Sequence, residues 1–270
     1  MTPVLRLADA GLAFGDRPLW SGLDLDLRPG EFVTVLGANG SGKSSLLKAI
    51  LGLQPLTTGS ISFLGRPVTR GDRHIGYIPQ QRLIPAGTPL RGWDLVALGV
   101  DGHRPGVRWR GRRSVRAAVE AAVAAVGAGG FAGRPIGQLS GGEQQRLRVA
   151  QALVSDPSLL LCDEPLISLD LQHQQAVSRL VDQRRRQHGT PVLFVTHDIN
   201  PVLPMTDRVL YFAAGRHRLG TPEKVLHSGV LSALYGTPVE VARIGERVVV
   251  LGAPDHHEPH HPSEHGGEHE

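Results

Sequence analysis

The sequence predicts an α/β protein: a buried parallel sheet with helices, an outer antiparallel β layer, and a helical subdomain inserted into the α/β core. Three observations lead there. The continuous apolar runs Phe32–Leu36, Leu159–Cys162 and Val192–Val195 have the pattern of strands covered on both faces. The shorter segments Val4–Ala10, Ser60–Phe63 and Ile75–Ile78 lie between Gly/Pro turns and suit the outer antiparallel layer. Leu90 to Asp156 is helical in character, with an Ala/Val-rich stretch Val115–Val126 and an amphipathic stretch Glu143–Leu153.

A chain of 270 residues is long enough for one such core plus a subdomain or tail. The expected division is a globular body at 1–252, its helical subdomain at about 84–157, and a flexible tail at 253–270, where the composition turns to His, Glu, Pro and Gly. With 40% hydrophobic and 20% charged residues the body is too apolar for a disordered chain. No internal repeat of 20 to 50 residues is evident. There is no apolar run of membrane-spanning length, and the start MTPVLRLADA carries Asp9 and lacks the layout of a signal peptide, so a cytoplasmic location is expected. Cys162, the single cysteine, allows no intramolecular disulfide and reads as a small apolar filler in a strand. Five acidic residues and no Lys or Arg in the last sixteen positions leave a body near +9 from a total of +4. Such a body suits polyphosphates, nucleic acid or an anionic membrane face, without choosing among them.

The chemistry begins where Phe32–Leu36 runs into Gly37-Ala38-Asn39-Gly40-Ser41-Gly42-Lys43-Ser44-Ser45 and then a helix with Leu46, Leu47, Ile50 and Leu51 on one face. This is a complete phosphate-binding P-loop in its strand–loop–helix setting, so the core is expected to be a P-loop NTPase of the RecA-like type. The glycines let backbone N–H groups converge on a phosphate, the helix N-terminus adds a favourable field, Lys43 reaches the β- and γ-phosphates, and Ser44 ligates Mg²⁺. The run Leu159–Cys162 ends in Asp163-Glu164-Pro165, at the sheet edge where parallel sheets bind ligands. There Asp163 would hold Mg²⁺ from its outer shell and Glu164 would polarise the attacking water. Ser140-Gly141-Gly142 opens the helix Glu143–Leu153 and offers a second anion-binding helix start.

With Leu139-Ser140-Gly141-Gly142-Glu143 lying just upstream of the apolar-Asp-Glu strand, the chain resembles the ATP-binding subunits of ABC transporters. Across nearly the whole body the resemblance implies further roles. Gln80 matches the glutamine that senses the γ-phosphate and Mg²⁺ and connects to the permease. Ser168-Leu169-Asp170 resembles the loop at the dimer seam, and His197 in Thr196-His197-Asp198 matches the switch histidine that contacts the γ-phosphate. Phe14 sits where the family stacks an aromatic on adenine, with Trp20 as the competing candidate. Glu143 departs from the commoner Gln. The resemblance also implies ATP and Mg²⁺ as ligands, a homodimer with two sandwiched nucleotides, membrane-embedded permease subunits, an associated substrate-binding protein, and a peripheral place on the cytoplasmic face of the membrane.

The segment Gly76–Arg82 with Pro89-Leu90 and Asp94–Gly99, and the late segment Leu231–Val239, resemble ATPases of zinc and manganese importers; siderophore and cobalamin importers share part of the first pattern. In the tail, His256, His257, His260, His261, His265 and His269 are six of 13 histidines, and imidazole suits Zn²⁺. Either a weak zinc-binding tail or a passive solvated extension fits that composition. The Arg104, Arg108, Arg110, Arg112, Arg113 and Arg116 cluster reads as a solvated face or as a contact for lipid headgroups or permease loops. An ABC-type ATPase of DNA repair would place a very long coiled coil between Ser44 and Ser140, which here stand fewer than 100 residues apart without sustained heptads, so no nucleic-acid partner is expected.

Overall fold

The computed structural model describes residues 2–15, 17–80, 84–85, 87–101 and 112–252. In chain order, β1 (Leu5–Phe14), β2 (Arg17–Leu27) and β3 (Phe32–Gly37) lead into helix α1 (Lys43–Ile50). Next come β4 (Thr58–Phe63), β5 (Arg66–Pro67) and β6 (Ile75–Ile78). Helices α2 (Gly92–Asp101), α3 (Arg112–Ala125) and α4 (Gly141–Leu153) form the helical region. The chain then returns to the sheet with β7 (Leu159–Asp163), α5 (Leu171–His188), β8 (Val192–Val195), β9 (Arg208–Ala213) and β10 (Arg216–Gly220). It closes with α6 (Pro222–Val225), α7 (Ser228–Tyr235), β11 (Glu240–Ile244) and β12 (Arg247–Leu251).

The central sheet runs β10-β9-β3-β8-β7-β6, parallel throughout except for β10, which pairs antiparallel with β9. A separate antiparallel sheet runs β2-β1-β4-β5, and β11-β12 is a hairpin on its own. Side-chain alternation explains the continuous apolar runs. Leu160 and Cys162 of β7 join one core with α2 to α5 and α7, whereas Leu159 and Leu161 join a second core with α1 and the antiparallel layer. Val192 and Phe194 of β8 likewise oppose Leu193 and Val195. Both sheet faces are therefore dry, and every position must be apolar.

One strand differs from its expected place: Ile75–Ile78 is the edge strand of the parallel sheet, paired parallel with β7, and not part of the antiparallel layer. Ile75 enters one core and Ile78 the other, so this short segment is covered on both faces like its neighbours. Its flanking turns obscured that pattern. Cys162 is fully buried, and its thiol is pushed up by burial, as befits a filler.

The candidate zinc ligands His256, His257, His260 and His261, like Arg104, Arg108 and Arg110 of the basic cluster, lie outside the described residues. Among the described residues, no helix is long and apolar enough to cross a membrane.

Candidate active site

Four adjacent parallel strands each deliver a polar group to the same sheet edge. The P-loop follows β3, His197 stands two residues after β8, Asp163 ends β7 with Glu164 next, and Gln80 follows β6. Strand order thus gathers residues spread over more than half the sequence, as expected at the C-terminal edge of a parallel sheet. They open onto a cleft of 1210 Å³, which Phe14, Lys43, Gln80, Glu164 and His197 help to line.

The loop geometry depends on two glycines. Gly37 has φ 143°, and a Cβ there would stand 2.3 Å from Phe212 O. Gly42 caps α1 in the left-handed region at φ 96°, and its Cβ would lie 2.8 Å from the Trp20 indole. Lys43 is buried, donating from Nζ to Gly37 O at 2.7 Å and Ala38 O at 2.9 Å. Burial holds its ammonium below the ordinary lysine range, against the opposing pull of Glu164 and Asp163. Ser41 Oγ is buried without a hydrogen-bond partner among the described residues. An orphaned hydroxyl beside a buried cation and converging N–H groups fits a phosphate chain. The donor set also suits Mg²⁺: Ser44 Oγ donates to Asp163 Oδ1 at 3.0 Å, pairing a hydroxyl and a carboxylate that are hard-cation ligands.

Asp163 is fixed from the other side by Tyr77, whose OH donates to Oδ2 at 3.2 Å; burial and that carboxylate push the phenol well above its ordinary range. Tyr77 was legible only as a strand residue. Glu164 is half-buried with φ 46°, a conformation unusual for a non-glycine residue, anchored by its N–H donating to Val195 O at 3.0 Å. Gln80 Nε2 donates to Glu164 Oε2 at 3.3 Å. His197 is exposed to the cleft.

The two aromatic candidates differ in exposure. Trp20 is fully buried against Phe212, whereas Phe14 is 57% exposed at the cleft. Only Phe14 is free to meet a ligand.

Ser140, Gly141 and Gly142 do not line this cleft. Ser140 caps α4: its Oγ accepts from Glu143 N–H at 3.2 Å, while Glu143 accepts from Ser140 N–H at 2.8 Å. Glu143 thus completes the cap, a part that Gln could also play. Asp170 caps α5 by accepting from His173 N–H at 2.9 Å, and also bonds the His173 ring. That ring lies so close to Gly142 that a Cβ there would stand 2.0 Å from it. The first turn of α5 and the Ser140 helix start are thus in contact within one chain.

A P-loop facing an Asp-Glu strand end defines a nucleotide-binding phosphohydrolase of the P-loop class. The sequence model of the family described as "ABC transporter" matches residues 20–167. The zinc transport system ATP-binding protein TroB of Treponema pallidum is 36% identical over 206 residues, covering 76% of this chain and 77% of that protein. The zinc import ATP-binding protein ZnuC of Pseudomonas putida is 34% identical over 265 residues, covering 97% and 92%. Among solved structures, the dimeric ATP-binding cassette MJ0796, in a post-hydrolysis state with ADP and Pi, superposes with a TM-score of 0.68 at 27% identity, covering 80% of this chain and 98% of that one. The chain belongs to the ABC transporter family, as its ATP-binding, ATP-hydrolysing subunit.

Proposed function

We propose that this chain powers a zinc importer. The observation that carries this reading is its likeness, over nearly its whole length, to a zinc import ATP-binding protein. Two copies would enclose two ATP molecules, and permease subunits served by a substrate-binding protein would engage residues 84–157 from the cytoplasmic face of the membrane.

In each composite site Gly37, Asn39, Gly40, Ser41, Gly42, Lys43, Ser44 and Ser45 cradle the phosphates, and Phe14 stacks on adenine. Ser44 and Gln80 would hold Mg²⁺, with Asp163 supporting it from the outer shell, and the bound ion would neutralise charge developing on the phosphoryl oxygens. Glu164 accepts a hydrogen bond from the attacking water and so aligns it, while Gln80 orients Glu164 and His197 contacts the γ-phosphate. Ser140, Gly141, Gly142 and Asp170 act on the nucleotide held by the second copy, which explains their position away from the cleft of their own chain.

Metal accumulation in cells lacking this gene tests the transport reading. Zinc should fall while manganese and iron hold, and the wild-type gene but not a Glu164→Gln version should restore it. Loss of manganese or iron with zinc unchanged would overturn the assignment.

A further inference from the structure

The strand end that carries His197 is tied to the last hairpin of the described chain by one side chain. Thr196, buried at the end of β8, donates from its N–H to Val35 O at 3.1 Å. Its hydroxyl donates to Asp198 O at 2.9 Å and accepts from Asp198 N–H at 3.2 Å. Asp198 Oδ1 in turn accepts from Asn200 N–H at 2.9 Å and from Asn200 Nδ2 at 2.8 Å. The Asn200 carboxamide then pairs with both backbone groups of one residue in β12: Val248 N–H donates to Oδ1 at 2.8 Å, and Nδ2 donates to Val248 O at 3.0 Å.

A carboxamide bonded at both ends to one peptide residue copies the pairing of a neighbouring strand, so β12 is held as though Asn200 were its partner. Val248 is buried by this docking. Val248, Val249 and Val250 then form a wall of the cleft onto which His197 opens. The loop from Thr196 to Asn200 is therefore fixed at both ends, by β3 and by the hairpin, with His197 between. Without the second anchor, His197 would keep its chemistry but lose its fixed place.

We propose that Asn200 is a positioning residue for hydrolysis: it docks the β11–β12 hairpin on the loop of His197 and thereby sets where that imidazole stands. The inference rests on the role assigned to His197 above. Nucleotide binding, which the P-loop provides, should be nearly indifferent to it.

Steady-state ATP turnover of the full chain tests the idea with Asn200→Ala, His197→Ala and the double variant. Asn200→Ala should lower kcat about tenfold, the scale of losing the two hydrogen bonds that join the loop to Val248, with KM within about twofold of wild type. In the double variant the Asn200 substitution should add nothing to the loss caused by His197→Ala, because it acts through that residue. A merely structural role would make the two losses multiply, and that result would overturn the proposal. So would a raised KM with unchanged kcat. If Asn200→Ala does not fold, Asn200→Ser, which keeps a neutral polar side chain but is too short to bond both backbone groups of Val248, replaces it with the same expectations. Wild-type turnover in His197→Ala would instead refute the underlying role of His197; impaired His197→Ala beside unimpaired Asn200→Ala would refute the positioning claim alone.

Discussion

Ser44 Oγ and Asp163 Oδ1 stand 3.0 Å apart although 119 residues separate them in the sequence. The contact joins the first turn of α1 to the end of β7, two strands away from β3 in the sheet. This hydroxyl–carboxylate pair is the one that the proposed Mg²⁺ site would use. Asp163→Asn should raise the Mg²⁺ concentration needed for half-maximal ATPase activity by about 10- to 100-fold, the range for changes just outside a metal's direct ligands. A magnesium titration reads this, and an unchanged requirement would remove Asp163 from the metal site.

Lys43 gives a pH dependence with a definite sign. Its folded-state pKa is depressed by burial below the ordinary value of 10.5. The charged form therefore costs folding free energy at low pH, and that cost is relieved as pH rises from the depressed pKa toward 10.5. Over the same window the cation that grips phosphate is lost. ATP affinity should fall with rising alkaline pH while nucleotide-free stability gains relative to a Lys43→Met variant. Paired binding and melting measurements on the two proteins would show both trends; affinity independent of pH up to 10.5 would contradict the first.

Gly142 has no room for a methyl group because the His173 ring fills that space. Gly142→Ala should destabilise the chain by about 1–3 kcal/mol through overpacking. His173→Ala in the same chain should recover most of that loss, whereas two independent effects would add. Thermal melts of the single and double variants decide between the two.

Phe14 and Trp20 should fail differently. Phe14→Ala should weaken ATP binding with little change in stability, because the side chain is largely exposed. Trp20→Ala should cost about 3–5 kcal/mol, since it empties a fully buried site beside Gly42 and Phe212. Equal losses of ATP affinity in the two, with matched stability, would contradict the assignment of Phe14 as the exposed platform.

The parallel core was readable from the sequence wherever a strand was an unbroken apolar run. Phe32–Leu36, Leu159–Cys162 and Val192–Val195 met that condition; Ile75–Ile78, interrupted by Gly76 and Tyr77 and set between turns, did not, and it belongs to the parallel sheet rather than the antiparallel layer. The motif residues were legible because backbone chemistry demands their spacing: glycines at a turn, Lys43 and Ser44 at a helix start. What escaped were residues whose importance comes only from contacts between distant segments. Tyr77 is an ordinary strand tyrosine until it meets Asp163, and Asn200 an ordinary loop residue until it pairs with Val248. Neither contact has a local sequence pattern. The choice between Phe14 and Trp20 likewise needed burial, because both lie near the P-loop.

Glu164, held at φ 46° just after β7 and bonded by Gln80, is the residue proposed to align the water that cleaves ATP. Single-turnover and steady-state ATPase measurements on Glu164→Gln test that role most directly, with nucleotide binding followed in parallel. The substitution keeps size and removes the carboxylate. The account predicts wild-type-like ATP affinity, turnover reduced by about 100-fold or more, and accumulation of an ATP-bound dimer. Near-normal turnover by Glu164→Gln, with ATP bound as tightly as in the wild type, would contradict it.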